Sequence, residues 1–567
     1  MKVDWDEIRG DVVGHDATIA TPYGDRRIAY ADFTASGRAL CSVERYVERL
    51  LEHYANTHTE DDTTGRLTSR RLSSAERIIK DRLNADERYK LIAVGAGATA
   101  AINRLQQILG VYIPPATRDR LKCAGRLDAA DRAVRSHMPV VFVGPYEHHS
   151  NEISWREGLA EVVEVELDAM GRLSLDDLEI KLADRAWEGR QKIGSFSAAS
   201  NVSGVRTDVY AVARTLHRHG ALAFFDYSAS APYARIDVRR DEEAYFDGVF
   251  FSPHKYLGGP GASGVLLVRD TLYRDDLPPS VSGGGTVSFV NAATQDYLED
   301  IEEREKAGTP GIVQTMRAAL AIDLQHLIGI EAIEEREREL IGRALDRLGS
   351  FEGIEIVGDA PPSERLAIFS FNVRAGTGYL HPRFVVRLLN DLFGIQSRAG
   401  CSCAGPYGHR LLHIDLETSE RYRDYIRRGE HGVKPGWVRL NFHYLATDED
   451  FEFICSAVEF IARRGRLFLA DYRFDLKSGA WVHRREVEED EPFGAEAALA
   501  AGRVGGASDP VESRSRVVDA EAVRADRARY FDEASRYAGE LAKRFSDEEL
   551  KETADELIPF WYLSAVR

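Results

Sequence analysis

The chain has 567 residues, of which 44% are hydrophobic, and a formal net charge of −18 at pH 7. A chain of this length can bury a large core and form two or three domains. The negative charge argues against a surface built for nucleic acid or for an anionic membrane. A small molecule or another protein is therefore the expected partner.

The amino-terminal residues, MKVDWDEIRGDVVG, carry acids where a signal peptide has a basic region, and the sequence contains no run of 18 apolar residues. We therefore expect a cytoplasmic protein that does not enter a membrane. The cysteines are few and odd in number, five in all, which favours reduced thiols over a disulfide framework.

The first polar segment, Ala29 to Gly37, reads AYADFTASG and follows a predicted short helix and loop. Small residues after a Tyr-x-Asp turn suit a loop on which the carboxylate end of a substrate rests.

Two helices are predicted next, over 42–55 and 73–83, with a polar stretch over 56–70 between them. Residues 94–103, VGAGATAAIN, then read as a strand, a Gly-rich turn and a helix start, where main-chain N–H groups can bind phosphate.

Strand patterns over 139–143, 162–167, 193–198 and 221–225 alternate with helical patterns, which predicts a mostly parallel sheet. Three of these strands are followed by polar residues: His148, Asn201 and Asp226. The carboxyl ends of such strands are where ligands bind in α/β sheets. The simpler alternatives are a polar loop histidine at His148 and a helix cap at Asp226.

The run FFSPHKYLGGPGASGVLLVR, Phe250 to Arg269, presents Lys255 on a turn between two apolar strands, 248–251 and 264–268. An isolated lysine after a strand is usually solvated. Here Ser252 and His254 are residue types that bind phosphate, and the glycines allow close approach of the main chain to a ligand. An amine that can form a Schiff base beside phosphate donors favours pyridoxal 5′-phosphate as the cofactor.

The Ser-x-His-Lys run and the Gly-rich turn after it resemble the cofactor segment of class-V aminotransferase-fold enzymes, most closely the cysteine desulfurase and selenocysteine lyase branch. The resemblance covers residues from about 30 to about 464. It implies an α/β protein of pyridoxal phosphate fold-type I, aspartate aminotransferase-like, with a large mostly parallel-sheet domain, a smaller α/β domain and an extra helical C-terminal tail. We predict four parts: an N-terminal segment, 1–30, packing with the small domain; a large cofactor-binding domain, 31–310; a small C-terminal domain, 311–470; and a linker plus helical tail of unknown role, 471–567.

The resemblance also implies roles for single residues. Lys255 would bind the cofactor and move the α-proton, Asp226 would hold the pyridine nitrogen protonated, and His148 would stack on the ring within the motif Glu-His-His-x-Asn that Trp155 completes. The remaining cofactor-binding residues implied are Ala98, Thr99, Asn201, Ser228, Ser252, His254 and, from the neighbouring subunit of a homodimer, Thr309.

The sequence departs from the family pattern at two positions. Ala100 stands where the family usually has Glu, and Ala229 stands where it has the Gln that contacts the ring hydroxyl. Ser228 or Ser230 is the candidate to replace part of that contact. We therefore expect the electronic tuning of the cofactor to differ from the family norm.

Residues 395–406, IQSRAGCSCAGP, carry the thiols Cys401 and Cys403. A C-x-C pair is half of a metal site, but no second Cys/His pair stands at suitable spacing, so no metal is expected. The resemblance implies that Cys403 is a persulfide-forming nucleophile and that Cys401 either accepts its sulfur or is merely tolerated. It aligns Arg439 with the arginine that binds the substrate's carboxylate, with Arg398 assisting; an ordinary strand arginine is the alternative.

The favoured hypothesis is a cysteine desulfurase-like homodimer that converts L-cysteine to L-alanine, leaves a persulfide on Cys403 and passes the sulfur to an acceptor protein. One alternative keeps the cofactor with another amino-acid substrate, as an aminotransferase, an epimerase or a C–S lyase. The other is a partner-binding pseudoenzyme, against which the presence of Lys255 and Asp226 argues.

Overall fold

The computed structural model describes residues 4–57, 59, 61–125, 136–376, 378–485, 493–504, 519–544 and 561–562. These residues form two compact units. The first unit comprises residues 35–334, and the second combines residues 4–34 with the described residues from 335 onward. Within the described ranges, no helix is long and apolar enough to cross a bilayer.

The first unit is built on a seven-stranded sheet. Its strands are β1 (Tyr89–Val94), β2 (Val140–Val143), β3 (Glu161–Glu164), β4 (Lys192–Ser197), β5 (Leu222–Asp226), β6 (Gly248–Phe251) and β7 (Gly264–Arg269). Their spatial order is β1-β7-β6-β5-β4-β2-β3, and only β7 runs antiparallel to its neighbours. The sheet confirms the predicted fold class, and its topology brings the carboxyl ends of β1 to β6 to one edge.

The central strands are buried over most of their length. All four residues of β2, Val-Val-Phe-Val, are buried, as are all four of β6, Gly-Val-Phe-Phe. Continuous apolar runs are typical of parallel strands that are covered on both faces. Helix Ala98–Ile108 and Trp155 pack into the same core, which fixes the strand ends in position.

The helices of the first unit are Cys41–Leu51, Thr63–Arg82, Ala98–Ile108, Pro115–Cys123, His149–Arg156, Leu175–Leu182, Val209–Arg218, Ile301–Arg304 and Ile312–Ile328, and a hairpin is formed by Val287–Val290 and Gln295–Tyr297. The prediction of a polar connection over 56–70 is wrong in its second half. There the chain is already helical, because the Asp62 carboxylate accepts a hydrogen bond from the Gly65 N–H at 2.7 Å and caps the helix at Thr63.

The first unit extends beyond the predicted end of the large domain at residue 310. Helix Ile312–Ile328 packs against helix Thr63–Arg82, and Arg82 forms an ion pair with Asp323 at 2.7 Å. The Gln325 amide also donates to the carbonyl of Ala231 at 2.8 Å. These contacts place the division between the compact units at Glu334, inside helix Ile330–Gly349.

The second unit contains a mixed sheet of short strands. Along one path the order is Arg398–Gly400, Trp437–Asn441, Ile368–Ala375, Gly378–Leu380 and Trp561–Tyr562, with Ile354–Ile356 also paired to Ile368–Ala375. Further strands are Thr18–Ile19, Arg26–Arg27, Ala29–Tyr30, Ile395–Gln396, Tyr472–Asp475 and Ala480–His483. The helices are Trp5–Asp11, Pro382–Phe393, Gly405–Leu411, Leu416–Arg427, Asp448–Arg464, Ala495–Val504 and Ala520–Arg544, with most of Ile330–Gly349.

The predicted tail contributes to the core of the second unit. Helix Ala520–Arg544 buries Tyr530 and packs the ring of Phe531 4.9 Å from that of Phe393. Its Glu533 pairs with the fully buried Arg26 at 2.8 Å. This part of the tail is therefore structural, whereas residues 505–518 and 545–560 of the predicted linker and helical tail lie outside the described residues.

Candidate active site

Lys255 lies where the sequence predicts it, at the end of a short 3₁₀ turn, Pro253–Lys255, that follows β6. The glycines around it are required by close main-chain packing. A Cβ on Gly259 would lie 2.0 Å from the Pro253 carbonyl oxygen, and one on Gly264 would lie 2.3 Å from the Gly97 carbonyl oxygen. The main chain can therefore approach this closely only with glycine at these two positions.

Gly97 and the first turn of helix Ala98–Ile108 form a cradle with two residues of the lysine turn. The Ser252 hydroxyl accepts a hydrogen bond from the Ala98 N–H at 2.9 Å. A Cβ on Gly97 would lie 2.9 Å from Ser252 Oγ and 3.7 Å from His254 Cδ2. Main-chain N–H groups at a helix start, beside a hydroxyl and an imidazole, are a donor set that suits a phosphate group.

Two further residues border this cradle. Thr99 is exposed, and its hydroxyl lies 2.7 Å from the hydroxyl of Ser150. Burial, and then the charge of Lys255, lower the pKa of His254, so that its imidazole is neutral near pH 7. A neutral imidazole can still donate one N–H to an anion.

Asp226 is the last residue of β5, the strand next to β6, and its side chain is buried. Its carboxylate accepts a hydrogen bond from the Ser228 N–H at 2.8 Å. Burial raises the pKa of Asp226, and hydrogen bonds from Ser228 and the charge of Lys255 oppose that rise. A buried carboxylate of this kind favours a cationic ligand group beside it.

One hydroxyl group that follows Asp226 in the chain points to a polar ligand. The hydroxyl oxygen of Ser230 is buried and has no hydrogen-bond partner among the described residues. Buried hydroxyls are normally satisfied, so this one calls for an added polar group. The cradle, the buried carboxylate and this hydroxyl together fit a phosphorylated heterocycle such as pyridoxal 5′-phosphate.

His148 precedes helix His149–Arg156, and its Nδ1 accepts a hydrogen bond from the Ser150 N–H at 3.2 Å. The preceding residue, Glu147, is a buried carboxylate that sequence reasoning did not single out. It accepts hydrogen bonds from the Ser197 hydroxyl at 2.6 Å and from the Asn151 amide at 2.7 Å. Burial raises the pKa of Glu147 to about 7. The sequence signal that could have identified Glu147 is its position directly before His148.

Two predicted cofactor residues lie in other loops of the first unit. Asn201 lies in the turn after β4, and Thr309 is exposed just before helix Ile312–Ile328. The Thr309 hydroxyl accepts a hydrogen bond from the Asn56 amide at 3.0 Å.

The second unit brings the two predicted arginines together. Arg398 and Arg439 are register partners on neighbouring antiparallel strands. Both pair with Asp32: Arg398 Nε lies 2.9 Å from Asp32 Oδ2, and Arg439 Nη2 lies 3.0 Å from Asp32 Oδ1. Asp32 stands in the predicted substrate loop, but its pairing with both arginines could not be read from the sequence, because the three residues are far apart in the chain.

Cys401 and Cys403 are exposed in a tight turn that closes with a 3.0 Å hydrogen bond from the Ala404 N–H to the Cys401 carbonyl. Its two central residues, Ser402 and Cys403, have positive φ angles of 50° and 57°. Residues other than glycine rarely adopt this backbone conformation. By contrast, Cys455 is buried, and burial raises its pKa to about 12, which makes it a poor nucleophile.

Comparison with known proteins connects this arrangement to one family. The family model for aminotransferase class-V matches residues 132–453, more than half of the chain. A probable cysteine desulfurase from Halalkalibacterium halodurans is 29% identical over 404 residues, which cover 70% of this chain and 89% of that protein. A probable cysteine desulfurase from Staphylococcus aureus is 30% identical over 407 residues, covering 71% and 88%.

Solved structures support the fold. The apo cysteine desulfurase from Thermococcus onnurineus NA1 aligns with a TM-score of 0.63 at 23% identity, covering 82% of this chain and 99% of that one. A cysteine desulfurase from Escherichia coli aligns with a TM-score of 0.61 at 22% identity, covering 81% and 98%. At these identities the likeness establishes the fold alone, while the family model and the sequence relatives establish membership. The chain belongs to the class-V aminotransferase family of pyridoxal 5′-phosphate-dependent enzymes.

Proposed function

We propose that this protein is a cysteine desulfurase that converts L-cysteine to L-alanine and collects the sulfur on Cys403. The observation that carries the proposal is the exposed thiol of Cys403 in a tight turn, in a chain whose relatives are named probable cysteine desulfurases. A thiol that served only packing would be expected in an apolar interior, as Cys455 is.

The first unit supplies the residues that would hold the cofactor. Ser252, His254 and the N–H groups at Ala98 and Thr99 would bind its phosphate, and Asp226 would keep the pyridine nitrogen protonated. Lys255 would bind the cofactor covalently and move the α-proton of the substrate, and His148 would stack on the ring. Asn201 and Ser228 would contact the ring hydroxyl. When bound, the cofactor supplies an electron sink for the bonds at the substrate's α-carbon.

The second unit supplies the residues that would act on the substrate. Arg439, assisted by Arg398, would bind the α-carboxylate through its fork of N–H donors. The Cys403 thiolate would attack the sulfur of L-cysteine, so that an S–S bond forms and the carbon–sulfur bond of the substrate breaks. The released electron pair stays with the carbon skeleton, which takes up a proton and leaves as L-alanine. One thiol and one L-cysteine thus give one persulfide and one L-alanine, without an added oxidant.

The exposure of the turn suits onward transfer of the sulfur. Cys403 is open to solvent, so a thiol of an acceptor protein, or Cys401, could take the sulfur from it. The exposed Thr309 would reach the phosphate of a neighbouring subunit in a homodimer, as the family resemblance implies.

The test measures L-alanine release and the protein mass after incubation of the cofactor-loaded enzyme with L-cysteine. The parent should form L-alanine and gain one sulfur atom, and Cys403→Ala should lose both. Cys401→Ala, a matched exposed thiol in the same turn, should keep L-alanine formation. If L-cysteine is inert, or if Cys403→Ala forms L-alanine at the parent rate, the desulfurase proposal is wrong. Turnover of another amino acid would then favour an aminotransferase, an epimerase or a C–S lyase.

A further inference from the structure

Asp32 is the residue of the second unit whose role the proposed function leaves open. Its carboxylate has one oxygen on Arg398 and the other on Arg439. The two guanidinium groups come from register partners on adjacent strands and would repel each other without an anion between them. Asp32 therefore holds together the two cations that are proposed to receive the substrate's carboxylate.

Two main-chain hydrogen bonds of Ala31, to residues near each arginine in the chain, fix the position of Asp32. The Ala31 N–H donates to the Gln396 carbonyl at 2.9 Å, and the Asn441 N–H donates to the Ala31 carbonyl at 2.9 Å. The next residue, Phe33, stacks its ring 3.8 Å from that of His443. These contacts hold the Asp32 segment in one place, so its carboxylate is a built component of the arginine site.

The side chains of Arg398, Arg439 and Asp32 together carry a net charge of +1. Arg398 and Arg439 contribute two positive charges and Asp32 contributes one negative charge. The nearby His443 adds none near pH 7, because burial lowers its pKa to about 3. Arg439 and Asp32 are largely shielded from water, with exposed side-chain fractions of 4% and 12%, so their charges are weakly screened.

We propose that Asp32 is a specificity-determining residue that restricts the arginine site to amino acids with a single carboxylate. A monocarboxylate neutralises the net charge of these three side chains, whereas the side-chain carboxylate of an acidic amino acid would be repelled by Asp32. The inference rests on the proposed function only in taking Arg439 as the residue that binds the α-carboxylate.

The test is calorimetric titration of the cofactor-loaded protein with L-alanine and with L-aspartate, which needs no turnover. In Asp32→Asn the cluster charge rises from +1 to +2, and the affinity for L-aspartate relative to L-alanine should rise by about tenfold. Asp32→Glu keeps the charge and should keep the parent ratio. An unchanged ratio in Asp32→Asn would overturn the proposal.

A second variant keeps the proposal testable if Asp32→Asn does not fold. Arg398→Gln lowers the cluster charge to zero, so the L-aspartate to L-alanine affinity ratio should fall by about tenfold, and a ratio that stays or rises would overturn the proposal. The double variant Asp32→Asn/Arg398→Gln returns the charge to +1 and should restore the parent ratio. Asp424→Asn, an exposed carboxylate in the same unit, is the surface control and should change nothing.

These titrations separate failure of the proposal from failure of the desulfurase function. If L-cysteine yields no L-alanine but the affinity ratio follows the cluster charge, the desulfurase assignment is wrong and the role of Asp32 holds. If L-alanine forms but the ratio ignores the charge, the desulfurase assignment stands and Asp32 only positions the arginines.

Discussion

The sheet edge of the first unit and the arginine and cysteine region of the second unit differ in how far their polar groups are exposed. On the sheet edge, Asp226 and Glu147 are buried and receive hydrogen bonds from main chain or neighbouring side chains. In the second region, Arg439 is buried beside Asp32, but Arg398 and Cys403 are exposed on a three-residue strand and a tight turn. Buried, satisfied groups suit a ligand that stays bound, whereas exposed groups suit ligands that enter and leave. The contrast predicts that substitutions in the two regions will affect different measurements.

The largest expected effect is that of Asp226→Asn on the sheet edge. A neutral amide cannot hold a proton on the cofactor's pyridine nitrogen, so kcat/KM for the amino-acid substrate should fall by about 10²- to 10⁴-fold. Cofactor retention after desalting should be close to that of the parent, because the phosphate cradle at Ser252 is untouched. Steady-state kinetics and absorbance of the desalted protein measure the two quantities. Parent-like kcat/KM in this variant would remove Asp226 from the proposed role.

Glu147→Gln tests the electrostatic cost of a buried acid on the same edge. Burial raises the pKa of Glu147 from the ordinary 4.5 to about 7, so between these values the folded state holds a proton that the unfolded state releases. Folding stability should therefore fall as the pH rises through this window, by at most about 3 kcal/mol. Glu147→Gln has no proton to release and should lack that component of the decline.

Denaturation midpoints between pH 5 and pH 8 measure this difference. Glu157→Gln replaces an exposed carboxylate near the same helix and should keep the parent's pH dependence. Identical pH profiles for the parent and Glu147→Gln would show that Glu147 is ionised throughout.

The smallest expected effect is that of Ser402→Gly in the cysteine turn. Glycine removes the cost of a positive φ at this position but gives the unfolded chain more freedom, so the free energy of unfolding should change by less than about 1 kcal/mol. Cofactor retention should not change, because no residue of this turn has a proposed role in cofactor binding. A large loss of bound cofactor in Ser402→Gly would show that the turn contributes to cofactor binding.

Sequence reasoning predicted the sheet and the placement of Lys255 and Asp226 because local patterns carry that information. Apolar runs mark the buried strands, and a polar residue directly after such a run marks the ligand edge. The strand patterns before Asp226 and Ser252 end within one residue of the ends of the strands in the structure. For these residues the order of the chain determines the position in space.

The rest depended on contacts between distant parts of the chain. Asp32 meets Arg398 and Arg439 only because strand Ala29–Tyr30 pairs with Ile395–Gln396. Glu147 is buried because Ser197, fifty residues later, covers it. The contribution of helix Ala520–Arg544 to the core was also missed, since its charged pattern suggests a solvated helix while its aromatic residues pack inward.

The discontinuity of the second unit has a consequence for synthesis on the ribosome. Arg26 is fully buried against the Leu392 carbonyl and Glu533, so its partners are translated after the whole first unit. At about 5–20 residues per second, Arg26 waits roughly 25–100 s for Glu533. The N-terminal segment cannot complete its packing before that interval has passed. Its docking is therefore expected to be a late step in biogenesis, and a charged segment such as this one is well suited to remain soluble until then.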